Sequence, residues 1–214
     1  MSSFLSAVYI GFAMGLAVAA VPGPIIVLMI AETLRKGYLA GLSVVLGPIT
    51  VDALVMIPLA LILQPALVLK PVQMGIGLAG SAFLVFLGFN TIRQAHGEPM
   101  KLPDAQANPN NQGIFLNSYR KSLVAHLLNP FGYVFWATAG SSFIKQAISS
   151  VGLAGAVLFP LSFWLGALVI EAIALFFSAK GKEVLSSAGY QTVLYVCGVI
   201  LVAFGILLAV RVLI

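Results

Sequence analysis

Charge is what this sequence has least of. Charged residues make up 8% of its 214 residues and apolar residues 61%, whereas ordinary soluble domains carry about 25% charge. A chain so poor in charge cannot cover a water-facing surface, so most of its outer face must meet lipid. Cysteine is nearly absent: Cys197 stands alone, which excludes an internal disulfide, and within an apolar run it reads as an inert packing residue. The two histidines, His96 and His126, cannot form His-Glu-x-x-His, and Gly-x-Ser-x-Gly is missing too. No nucleophile–base set follows, so neither enzyme chemistry, a cofactor nor a metal centre is expected. The net charge of +5 does not indicate nucleic acid, because the eleven Lys and Arg are scattered at the ends of apolar runs, where they anchor and orient helices.

What is present is a series of long apolar runs. A membrane span needs about 20 apolar residues, and six runs qualify, over roughly 4–33, 38–63, 71–92, 122–144, 151–178 and 190–213. No Lys or Arg precedes the first run. Ala17-Val18-Ala19 looks like a signal-peptidase site without its charged n-region, so this end is expected to be a retained first span. The first run carries no charge from Phe4 to Ala31, yet holds Val21-Pro22-Gly23-Pro24 at its centre. Each proline lacks an N–H and clashes with the preceding turn, and Gly23 lets the backbone leave the helical region. The helix should stop and restart there. Irregular backbone at membrane depth is tolerated only where it is buried in protein or lines a wet cavity, and broken helices mark binding sites in transporters. Gly11 and Gly15, four apart, could seat a neighbouring helix. Glu32 and Lys36 read as an interfacial i, i+4 pair.

Residues 95–114 are the one polar, Pro- and Asn-rich stretch and read as a cytoplasmic linker between halves at 1–94 and 115–214. Arg35, Lys36, Arg93, Lys101, Arg120, Lys121, Lys180 and Lys182 fall on one side of the six spans; Lys70, Lys145 and Arg211 fall on the other. The richer side should be cytoplasmic, with both termini outside. The halves also match in detail. Gly47 precedes Asp52 by five residues as Gly166 precedes Glu171, and Gly80 precedes Arg93 by thirteen as Gly198 precedes Arg211. Three spans per half give halves of opposite orientation, the inverted repeat of many secondary transporters. One feature fits poorly: the break falls about twenty residues into span one but only about eight into span four, at Asn129-Pro130. The expected fold is an all-α integral membrane protein of six spans in two inverted three-helix repeats, with helices 1 and 4 broken at proline.

Asp52 and Glu171 are the acids deep within spans. A carboxylate at mid-membrane costs at least about 2.5 kcal/mol and marks an ion or substrate path by default. Both suit proton coupling as well as substrate binding. The half-helices restarting at Pro24 and Pro130 present N–H groups that favour an anion such as a substrate carboxylate. Pro22, Gly23, Pro24, Ile25, Asp52, Asn129, Pro130 and Glu171 are therefore the expected substrate-binding residues, for a small zwitterion such as an amino acid. Asn129 adds a donor and an acceptor. His126 is expected to be a satisfied interfacial histidine rather than a proton relay. Trp136 and Trp164 are read as packing or belt residues, although Trp164, seven before Glu171, shares its face.

The run Pro22-Gly23-Pro24, then Gly37-x-x-x-Gly41-Leu42, then Gly47-x-x-x-x-Asp52, resembles the LysE/RhtB family of amino-acid exporters. Gly80-Ser81-Ala82-Phe83-Leu84-Val85-Phe86-Leu87-Gly88-Phe89 looks like that family's third span, and Asn129-Pro130 with Phe135-Trp136 like its fourth. The resemblance covers nearly the whole chain. It implies an inner-membrane exporter of amino acids or related small molecules driven by the proton gradient, with protons and the lipid bilayer as its other partners and a homodimer possible. This chain departs from the pattern at Phe131, where the family often has Lys. Some relatives in the wider superfamily move metal cations, which is the alternative the resemblance carries; an intramembrane enzyme or a scaffold is a further one.

Overall fold

A computed structural model describes residues 2–20, 23–67, 69–95, 111–184 and 187–214. Pro22 and most of the expected linker lie outside these residues. Every described element is helical. They are α1 (Ser2–Ala19), α2 (Pro24–Lys36), α3 (Tyr38–Val51), a π-helical turn (Asp52–Met56), α4 (Ile57–Leu67), α5 (Lys70–Ala95), α6 (Asn111–Leu127), α7 (Pro130–Phe135), a second π-helical turn (Trp136–Gly140), α8 (Ser141–Val151), a 3-10 turn (Gly152–Ala154), α9 (Gly155–Val184) and α10 (Ser187–Leu213).

The breaks fall where the prolines stand. The axis bends by 68° between α1 and α2, with Gly23 extended as N-cap and Pro24 in the first helical turn, a position where its missing N–H costs nothing. Asn129 is likewise extended and Pro130 opens α7; the Asn129 side chain accepts a hydrogen bond from the Phe131 N–H at 3.1 Å. The poor fit noted between the two breaks disappears here. α6 begins at Asn111 and runs 17 residues to its break, much as α1 runs 18. The run expected over 122–144 thus starts about eleven residues too late, and the C-terminal end of the expected linker is helix.

Among the described residues, four helices, or five if the bent α1–α2 pair is one span, are long and apolar enough to cross a membrane. One of these is a continuous stretch of 52 residues, Pro130–Gly181. At 1.5 Å per residue it would measure about 78 Å, more than twice a hydrocarbon core of about 30 Å. The chain in fact turns at Gly152, whose φ of 71° suits glycine, and α9 folds back on α8. Gly37, with φ 92°, makes the corresponding turn between α2 and α3.

Three helix pairs carry most of the packing: α1 along α9, α3 along α6, and α5 along α10. Each closes on glycine. Gly11 and Gly15 of α1 meet Ser162 and the Phe163 carbonyl of α9, Gly47 of α3 meets Ser122 of α6, and Gly88 of α5 meets the Gly198 carbonyl of α10. Small residues let helix backbones approach in lipid, where packing rather than water expulsion drives association. Pro48 within α3 leaves the Val44 carbonyl without its i+4 donor. The Ser122 hydroxyl of α6 donates to that carbonyl at 2.6 Å, so the helix interruption is answered by the neighbouring helix.

Candidate functional site

Both breaks open onto one cavity of about 330 Å³, near the lower end of the ~300–1,000 Å³ range of small-molecule sites. Gly23, Pro24 and Ile25 line it from the first break, Asn129 from the second, and Asp52 and Glu171 from α3's end and α9. Of the residues expected at the site, Pro130 is buried and does not line the cavity, and Pro22 lies outside the described residues. π-helical turns collect at functional sites, and here one opens with Asp52 and the other with Trp136, both lining the cavity.

The two carboxyl groups sit in different company. Asp52 is 5% exposed. Its Oδ1 lies 3.0 Å from His126 Nε2, and its Oδ2 accepts from the Trp164 Nε1–H at 3.3 Å. His126 Nδ1 is buried and has no hydrogen-bond partner among the described residues. Glu171 is partly exposed within the cavity. Among the described residues it makes no hydrogen bond or ion pair. Around them stand aromatic walls. Phe135, Trp136 and Phe163 pack as a mutual triad with each pair of ring centroids 5.2 Å apart. Phe131 faces the cavity while the Arg211 guanidinium sits 5.3 Å over its ring.

His126 and Trp164 are thus placed otherwise than expected. The histidine, expected as a satisfied interfacial residue, lines the cavity as the partner of Asp52, and the tryptophan is anchored to the same carboxyl. Their separations in sequence, 74 and 112 residues from Asp52, left no local pattern. The face shared by Trp164 and Glu171 was the one available signal. Among the described residues, no group of three or more His, Cys, Asp or Glu side chains converges as a metal site would need.

A second polar cluster lies at the far end of α2. Glu32 is 0% exposed. Lys36 Nζ reaches it at 2.6 Å, Lys121 Nζ of α6 at 2.8 Å and Arg35 at 3.3 Å, and the Ser118 hydroxyl donates to it at 2.6 Å. The pair expected to be a local interfacial contact is part of a buried anchor that ties α2 to α6.

Comparison with known proteins points to a membrane translocator family. The model of the LysE type translocator family matches residues 16–211. An uncharacterized membrane protein of Pseudomonas aeruginosa is 25% identical over 194 residues, covering 88% of each chain. A chemotactic transduction protein, ChpE, of the same organism is 30% identical over 174 residues, covering 78% of this chain and 77% of that one. No solved structure matches. With its apolar helices, the chain is a multi-pass membrane protein.

Proposed function

The chain belongs to the LysE type translocator family, and on that premise we propose that it is a secondary transporter exporting an amino acid or related small zwitterion across the cytoplasmic membrane by proton antiport. One observation carries the reading: two broken helices and two deep carboxyl groups, far apart in sequence, meet at a single cavity. Backbone at a break has N–H groups that no earlier turn receives, and a substrate carboxylate is their natural guest. Glu171 and the Asp52–His126 pair supply the sites for an ammonium and for protons. Six spans in two inverted halves fit this assignment. In support, α1 lies on α9 as α6 lies on α3, while α5 and α10 pair with each other. The clustered Arg35, Lys36 and Lys121 end then faces the cytoplasm, with both termini outside.

Vesicles loaded with single amino acids test the proposal. Efflux should accelerate when a proton gradient is imposed, and Asp52→Asn and Glu171→Gln should each abolish the acceleration. Export of cadmium or manganese with no amino acid moving would favour the metal reading, which the two deep carboxyls serve poorly. Full tolerance of Asp52→Asn would favour a signalling scaffold, the class suggested by the name of the chemotactic relative.

A further inference from the structure

The cavity wall also bears on which zwitterion is carried. We infer that the cargo is an amino acid with a large uncharged apolar side chain, bound with its ammonium at Glu171 and its side chain against the aromatic wall; this rests on the exporter reading above. The charges decide it first. Of the two carboxyl groups lining the cavity, Asp52 already has both oxygens engaged by His126 and Trp164. Among the described residues that line the cavity, only the Glu171 carboxyl remains uncommitted, so one cation is matched and a second, as in a lysine or arginine side chain, would be buried without a counter-charge. An acidic side chain would meet two carboxyls and no Lys or Arg among the described residues that line the cavity. A small hydroxyl or amide side chain would leave the aromatic part of the lining uncovered, and Asn129, whose Oδ1 already accepts from the Phe131 N–H, is the one side-chain amide among the described lining residues.

The shape points the same way. Glu171 and Trp164 lie seven residues apart on α9, about 10 Å along the axis, with only the small Ala167 lining the cavity between them. The same cavity is lined by Phe135, Trp136 and Phe163, whose rings hold one another in place. A cavity of about 330 Å³ has room for an amino acid of leucine or phenylalanine size, and apolar contact with such a wall is favourable without further polar partners.

The full-length protein in liposomes, loaded in turn with phenylalanine, leucine, alanine, serine, lysine or aspartate, provides the test. Phenylalanine and leucine should leave at least about tenfold faster than lysine, aspartate or serine, the scale at which a pocket discriminates by a few contacts. Ala167→Leu should lower the ratio of phenylalanine to alanine efflux by about tenfold or more, a change that general misfolding would not produce because it lowers both rates together. Faster movement of lysine, aspartate or serine than of phenylalanine would overturn the inference and leave the exporter reading standing. An unchanged ratio in Ala167→Leu would also overturn it. Efflux of no amino acid at all, from protein that is folded by its thermal transition, would sink both.

Discussion

Replacing Glu32 by Gln should destabilise this protein more than any other exchange of a single charge. The side chain is fully buried and three cations converge on it, at 2.6, 2.8 and 3.3 Å. Gln keeps the volume and an acceptor for the Ser118 hydroxyl but strands the cations beside one another. Breaking a buried pair costs about 3–5 kcal/mol. Lys36 and Lys121 keep 20% and 25% of their side-chain surface exposed, so water relieves part of the loss and about 2–3 kcal/mol is the expected effect. At about 2–4 °C per kcal/mol for a chain of this size, the thermal midpoint in detergent should fall by about 4–12 °C. Adding Lys121→Met removes one stranded cation, so the double variant should lose less than the sum of the singles, with coupling of about 1 kcal/mol or more. A Glu32→Gln midpoint within about 1 °C of the parent, or strictly additive losses, would refute the view that this anchor holds α2 to α6.

Other consequences are as direct. Gly88→Val places a Cβ 2.6 Å from the Gly198 carbonyl oxygen and should force α5 and α10 apart, costing about 1–3 kcal/mol, read as a lower thermal midpoint. Ser122→Ala leaves the Val44 carbonyl unpaired and should cost about 1 kcal/mol; in a Pro48→Ala background, where the helix regains its own donor, most of that cost should vanish. His126→Gln keeps a donor for Asp52 but cannot take up a proton. Efflux should then lose its dependence on the proton gradient while exchange of cargo for cargo persists, which counterflow and gradient-driven assays on the same vesicles separate.

Much of this site was legible before any coordinates. Proline and glycine act locally, so the break before Pro24 and the one before Pro130 could be read from residue type alone. Asp52 and Glu171 stood out because a deep carboxyl is costly wherever it sits. The start of α6 was hidden because Asn111, Gln112, Asn117, Ser118, Arg120 and Lys121 interrupt its apolar residues, and hydropathy is blind to a helix of mixed character. Glu32 was misjudged because its near neighbour Lys36 gave a sufficient local explanation, while Ser118 and Lys121 come from 86 and 89 residues away. The aromatic wall was missed for a related reason. Phe135 and Trp136 are adjacent, but Phe163 reaches them only through the tertiary fold.

Thiol labelling of Ala167→Cys tests most directly whether the cavity at the two breaks is a transport site. The native Cys197 is buried, so background reaction should be low. A membrane-impermeant reagent should reach position 167 from either face of the membrane, with an imposed proton gradient changing the balance between faces and cargo slowing both reactions. Labelling from one face only, indifferent to gradient and cargo, would contradict the account.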